Sequence, residues 1–178
     1  MNLLLVFFSA ACAAMVVVSA ARGAESPALA PVSVRSADDP HYADDQRQFQ
    51  GIPSIAMTPG GRLWATWYSG GAGEGPDNYV LLATSADRGR TWSKPVQVID
   101  PPSPVRGYDA VVWCDPRGWL WWFHAQTYGS WDGRAGVWAR VSTNADDPLP
   151  TWSEPRRIAD GIMMNKPTVT RGGRWLFP

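Results

Sequence analysis

An excess of charge of either sign is missing from this sequence. Lys and Arg total 16, Asp and Glu total 16, and the formal net charge is zero. A nucleic-acid binder carries a basic excess or stripe, so no nucleic-acid partner is expected. Blocks of like charge are missing too, which removes a polybasic membrane patch or an acidic tail. Cysteine and histidine are scarce: Cys12 and Cys114, His41 and His124. No cluster of them has ligand spacing, so neither a metal nor another cofactor is expected. No stretch of ten or more residues shows a helical apolar period. Aromatic and turn-forming residues are plentiful instead. There are 11 Trp, 17 Gly and 16 Pro, and the 45% apolar fraction is too high for a disordered chain.

The one long apolar run opens the chain. Residues 1–21 read as an export signal, with apolar residues from Leu3 through Val18 and then Ser19, Ala20 and Ala21 as a small-residue cleavage region. No Lys or Arg precedes the run, which departs from the usual signal. A membrane anchor is the alternative, although Ser9, Cys12 and several alanines interrupt the run. The expectation is therefore a periplasmic or extracellular protein with no membrane partner after cleavage. Cleavage would leave Cys114 as the sole cysteine and rule out an internal disulfide. Beside Trp113, it reads as a core residue rather than a nucleophile. Residues 22–48, rich in Ala, Pro, Ser and Asp, read as a linker.

From residue 49 to residue 178 the pattern changes to short apolar runs between Gly, Pro and Asp clusters, as in many short strands joined by tight turns. The runs repeat. Pro59-Gly60-Gly61-Arg62-Leu63-Trp64 resembles Pro116-Arg117-Gly118-Trp119-Leu120-Trp121, and both resemble Arg171-Gly172-Gly173-Arg174-Trp175-Leu176. The turn glycines Gly61, Gly118 and Gly173 lie 57 and 55 residues apart. Thr91-Trp92-Ser93-Lys94-Pro95 returns 60 residues later as Thr151-Trp152-Ser153-Glu154-Pro155. A period of this size with several strands per unit points to propeller blades. Strands are predicted at 54–57, 62–68, 79–85 and 96–99 in the first unit. In the second they fall at 110–114, 119–125, 136–142 and 156–158, and in the third at 167–170 and 174–177. This span holds about two and a third units, so a fragment of a larger propeller is expected. A small open-sheet assembly, with strand edges left unpaired, is the alternative.

Ser85-Ala86-Asp87-Arg88-Gly89-Arg90-Thr91-Trp92 is the most specific motif. It fits Ser-x-Asp-x-Gly-x-Thr-Trp at every defined position and resembles the Asp-box of bacterial sialidase (neuraminidase)-like BNR repeats. Physically it suits a hairpin. Asp87 can accept backbone N–H bonds, Gly89 permits a positive φ, and Trp92 can pack between sheets. Ser85 and Thr91 complete a box that is structural rather than catalytic. The second unit carries a degraded box: Ser142, Asn144, an insertion, then Thr151 and Trp152. The resemblance implies an all-β, six-bladed β-propeller and a glycan substrate or ligand.

In such units the Asp-boxes and Gly turns share one end. The other end collects Gln50-Gly51, Ser69 to Asp77, Arg106 to Asp109, Gln126 to Arg134 and Met163 to Lys166, where a ligand site is expected. The Ser69 to Asp77 loop holds four glycines and two carboxylates. The resemblance implies an acid/base carboxylate in this loop; Glu74 falls nearest its place, with Asp77 as the competitor. Asp109, after Arg106-Gly107-Tyr108, resembles a pocket aspartate at the start of the second blade, although a turn-capping role fits too. Arg106 joins it as a substrate-binding candidate, as do Asn165 and Lys166 at the equivalent place in the third unit. Tyr68, Tyr128 and Trp131 sit at loop edges, where packing competes with sugar stacking. His124 reads as a strand-end residue rather than a ligand.

One departure from the family pattern bears on substrate. Sialidases clamp a carboxylate with three arginines, the first in Arg-Ile-Pro at the entrance to the first blade. Here the stretch is Phe49-Gln50-Gly51-Ile52-Pro53, with Gly51 in the arginine's place. The resemblance puts the other two arginines, the nucleophilic tyrosine and its glutamate partner in later blades. The expectation is an exported sialidase-like glycoside hydrolase acting on a different sugar, inactive as this stretch alone. A non-catalytic carbohydrate-binding propeller is the alternative, and a polysaccharide lyase is third. Oligomeric state is not legible.

Overall fold

Turn glycines and runs of β-branched and aromatic residues cut the chain into short strands. The computed structural model describes residues 28–129 and 133–178. The expected export signal and Trp131 lie outside the described residues. Among the described residues there are three antiparallel sheets, none of them closed. The first contains β1 (Val34–Ser36), β2 (Phe49–Met57), β3 (Leu63–Gly70), β4 (Tyr79–Ser85) and β5 (Gln97–Ile99), in the order β1-β5-β4-β3-β2. The second contains β6 (Arg106–Cys114), β7 (Leu120–Thr127), β8 (Gly136–Ser142) and β9 (Arg156–Asp160), in sequence order. β10 (Thr168–Val169) and β11 (Trp175–Leu176) begin a third. These are the meandering units that the repeat predicted, and they are consistent with a propeller-like fold.

The main core lies between the first two sheets. Trp64, Tyr68, Val80, Leu82 and Ile99 face Tyr108, Ala110, Val112, Leu120 and Trp122. The indole N–H groups are satisfied across the gap. Trp64 Nε1 donates to Ala145 O at 2.8 Å, and Trp122 Nε1 donates to Thr66 Oγ1 at 2.8 Å. β2 and β6 are joined through a side chain: Ser54 Oγ accepts from Val112 N at 3.3 Å and donates to Val112 O at 3.4 Å.

The 22–48 stretch, expected as a linker, contributes to the fold from residue 28 onward. β1 pairs with β5 through Val34↔Ile99 and Ser36↔Gln97, covering an edge that would otherwise be open. Tyr42 is buried with Tyr79, Leu81 and Val98 on the far face of the first sheet. Its hydroxyl donates to Asp100 Oδ2 at 2.9 Å. Just before β1, Ala30 O accepts from Gln126 Nε2 at 3.1 Å and Val32 O accepts from Arg140 Nη2 at 2.6 Å. His124 lies within β7, fully buried, with Nε2 2.8 Å from Gln126 Oε1. Burial first, then the nearby Arg140 charge, lowers its pKa to about 3, so the ring is neutral. Cys114 is half-buried at the end of β6, and burial raises its thiol pKa.

The Asp-box folds as its chemistry requires. Asp87 Oδ1 accepts from Ser85 Oγ at 2.8 Å and Thr91 N at 2.9 Å, and Oδ2 accepts from Thr91 Oγ1 at 2.7 Å. The turn passes through Arg88 at φ 62° and Gly89 at φ 84°. The degraded box keeps this pattern with Asn144, whose Oδ1 accepts from Ser142 Oγ at 2.9 Å and from Thr151 N and Oγ1, both at 3.0 Å. Its insertion clasps the first unit. Asp146 accepts from Thr58 Oγ1 and from Gly60 N, while Arg62 Nε donates to Asp146 O at 2.8 Å.

The expected inter-sheet packing is true of Trp152 and not of Trp92. Trp152 packs against the main core and donates from Nε1 to Gln97 Oε1 at 2.9 Å. Trp92 is 42% exposed and is not packed against the core as Trp152 is.

Hydrogen bonds from the Thr91 hydroxyl and backbone, then from Ser85, lower the Asp87 pKa from 3.8 to about 2. The stability this adds is fully present above pH 3.8 and is lost as pH falls through about 2. Asp87→Ala is expected to melt below wild type at pH 7, with the deficit shrinking toward pH 2. Asp87→Asn, which recreates the Asn144 arrangement, should lose much less. Thermal melts at several pH values check this; an equal deficit for both variants, or one independent of pH, would contradict it.

Candidate functional site

The loop between β3 and β4 is glycine-rich because its ends pinch together. Gly70 sits at φ 137°, and a Cβ there would fall 2.0 Å from Asp77 O. Asn78, buried at the start of β4, ties the loop down. Its Nδ2 donates to Gly73 O at 2.9 Å, and its Oδ1 accepts from Gly75 N at 2.8 Å. These two bonds bracket Glu74. The Asn78 carbonyl also accepts from Gly107 N at 2.8 Å, which fixes the loop against the start of β6.

That junction brings Glu74 to Arg106, Tyr108 and Asp109. Tyr68 Oη donates to Glu74 Oε1 at 2.6 Å, and Arg106 Nη2 lies 3.6 Å from Glu74 Oε2. The Arg106 guanidinium is 4.3 Å from the Tyr108 ring centre and 5.8 Å from that of Tyr68. Together with Ile52, Gly129 and Met164, these residues line a cavity of about 110 Å³. That is room for roughly three or four water molecules, or for one edge of a small ligand.

Two strained backbone positions face this cavity. β2 has a register shift between Gly51 and Ser54, with Ile52 at φ 43°. β6 has the matching shift between Tyr108 and Val111, with Asp109 at φ 44°. The left-handed region costs a β-branched residue such as Ile52 on the order of 1–3 kcal/mol, and an aspartate such as Asp109 adopts it more readily. Both sheets therefore use a bulge on an edge strand to turn one residue toward the same cavity.

The electrostatics follow from burial. Asp109 is 7% exposed, and burial raises its carboxyl pKa above 3.8; Arg106 opposes the shift and Glu74 adds to it. Burial, then the bond to Glu74, raises the Tyr68 phenol, which stays a proton donor. Among the described residues no group of three or more His, Cys, Asp or Glu is placed to hold a metal ion.

Of the residues predicted from sequence, Glu74, Arg106 and Asp109 come together. Asp77 does not join them; it lines a separate cleft of about 560 Å³ with Arg35, His41, Tyr79 and Asp100. Asn165 and Lys166 line an adjoining groove of about 610 Å³, which shares Ile52 and Met164 with the small cavity. Lys166 Nζ donates to Ile55 O. Tyr128 is not among the residues that line the small cavity, and the Arg134 guanidinium stands 4.2 Å from its ring centre. Sequence reasoning gave no role to Asn78, Tyr108 or Ile52, and it left Tyr68 between packing and stacking. The signal for Tyr68 was available: Gly51, lacking a side chain, lies opposite it in the strand pair. A Cβ at Gly51 would lie 2.9 Å from Tyr68 Cζ and 3.0 Å from its hydroxyl. Tyr68 fills the space beside the position where the resemblance implies an arginine.

A family model described as a BNR repeat-like domain matches residues 37–178, and the chain belongs to that family. Domains of this kind occur in sialidase-like glycosidases and related proteins. No curated protein matches the chain.

The raised Asp109 pKa gives a stability test. The folded state holds the proton more tightly than the unfolded chain, so this contribution is full below pH 3.8 and is lost as pH rises through the folded pKa. Asp109→Asn keeps the shape and tolerates a positive φ. It should melt higher than wild type at pH 7 to 8 and match wild type below pH 3.8. An Asn variant that is less stable at pH 8 would show that the ionised carboxylate is held by partners rather than merely buried.

Proposed function

We propose that this BNR repeat-like chain is the N-terminal part of a six-bladed, sialidase-like propeller that is exported and hydrolyses glycosides. One observation carries the reading. An exposed carboxylate, a buried carboxyl with a raised pKa, a buried arginine and two tyrosines meet at the end of the sheets away from the Asp-box turns. Paired acidic groups in different environments suit general acid/base work on a glycosidic bond.

In this reading Glu74 is the proton carrier. The Glu74 side chain is 57% exposed, within reach of a leaving-group oxygen at the mouth of the cavity. Tyr68 fixes one carboxylate oxygen, which leaves the other to transfer the proton. As the C–O bond breaks, Glu74 delivers its proton to the departing oxygen; the water whose oxygen ends up bonded to the anomeric carbon returns a proton to Glu74. Asp109 and Arg106 hold the sugar, and Asn165 and Lys166 line the continuation of the site along the adjoining groove. Gly51 and Tyr68 argue for a sugar other than sialic acid, since no clamp arginine fits at that position.

A carbohydrate-binding propeller without chemistry is the second reading. What favours it is that Glu74 is already engaged by Tyr68 and Arg106. Glu74→Gln separates the two. In the full gene product, assayed on a panel of fluorogenic glycosides, Glu74→Gln should lower kcat about a hundredfold or more and leave the melting temperature near wild type. Wild-type rates in the variant would remove Glu74 from the mechanism. Sugar binding with no turnover of any panel member by wild type would favour the binder.

A further inference from the structure

Arg106 is an unusual residue to bury. Its side chain is 4% exposed, yet neither Nε nor Nη2 has a hydrogen-bond partner. The nearest carboxylate oxygen, Glu74 Oε2, stands 3.6 Å from Nη2, beyond a good hydrogen bond. Burying guanidinium N–H groups without acceptors is costly, and the Tyr68 and Tyr108 rings offset only part of that. Arg106 lines the small cavity together with Glu74 and Asp109.

The groups around that space define what can enter it. Arg106 offers donors only. Glu74 and Asp109 offer oxygens. The Tyr68 hydroxyl proton is already committed to Glu74. Gly51 adds no further cation, because Tyr68 occupies the space a side chain would need. A ligand carboxylate would satisfy Arg106 but would sit against two acidic side chains. A hydroxyl both accepts and donates, so neighbouring hydroxyls can take the Arg106 N–H bonds while giving their own protons to Glu74 and Asp109.

We propose that Arg106, Glu74 and Asp109 form a diol subsite that takes an uncharged, hydroxyl-bearing edge of a sugar and disfavours a carboxylated one. The proposal rests on the glycan reading above. Arg106 is its specificity-determining residue.

The test uses binding and leaves turnover aside. Galactose, mannose and fucose would be titrated against the full gene product beside glucuronate and N-acetylneuraminate. Calorimetry would be run with ¹⁵N NMR of the arginine Nε–H groups, the Arg106 signal being assigned by its absence in Arg106→Lys. At least one neutral sugar should bind and shift that signal, and both carboxylated sugars should bind about tenfold more weakly or not at all. Arg106→Lys, which keeps the charge and loses the planar fork, should weaken the neutral sugar about tenfold. If that variant is unfolded, Asp109→Asn serves in its place and should also weaken binding.

Tighter binding of a carboxylated sugar with a shift of the Arg106 signal would overturn the proposal in favour of an anion clamp. So would a neutral sugar that leaves the signal unmoved, or no binding by any panel member. The two readings fail separately. A neutral sugar held at Arg106 without hydrolysis of its glycoside removes the hydrolase and keeps the subsite. Hydrolysis with the Arg106 signal unmoved does the reverse.

Discussion

Two buried indoles fix the first sheet to the second, and the rest of the structure depends on that joint. Trp64 reaches from β3 to a carbonyl of the second unit, and Trp122 reaches from β7 back to a β3 threonine. Each is fully buried and each N–H is satisfied. A buried indole contributes on the order of 3 kcal/mol through its apolar surface. Its N–H adds direction, because sliding one sheet along the other would strand a polar group in the core. The relative position of the sheets is therefore set sharply. The cavity needs this, since Tyr68 and Glu74 come from the first unit while Arg106, Tyr108 and Asp109 come from the second.

The same joint supports local features that cost stability. Ile52 and Asp109 hold left-handed backbone, and Arg106 keeps unpaired donors in the interior. All of them line one small cavity. The turns at the other end of the sheets are satisfied in detail: both Asp-box loops have their polar atoms paired, even where Asn144 replaces aspartate and three residues are inserted. Two of the left-handed side-chain-bearing positions and a buried arginine with unpaired donors thus share one cavity, as a rigid scaffold that over-determines a site allows.

How much of this could be read from the sequence varied with local chemistry. β4 and β8 have the predicted bounds because they are continuous buried runs between clear turns. β2 and β6 begin five and four residues earlier than predicted, at Phe49 and Arg106, because the bulges break the alternation that a strand should show. β1 was invisible: three residues carry no period, and what makes them a strand is an edge some sixty residues away. The family resemblance put Glu74 nearest the acid/base position and kept Asp77 as its competitor. Asn78 and Tyr68 separate them in space, through contacts that one-dimensional spacing does not encode. The exposure of Trp92 against the partial burial of Trp152 teaches the same point, since the shared Thr-Trp-Ser step met different neighbours.

The segment ahead of the first sheet has a consequence for the order of assembly. Ala30 and Val32 bond to Gln126 and Arg140, 96 and 108 positions further along the chain. β1 waits for β5 in the same way. During synthesis these early residues leave the ribosome long before their partners exist, and closing such distant contacts is slow. They must remain extended and available while both sheets form above them. The first stretch of the fold to be made is thus among the last to find its place.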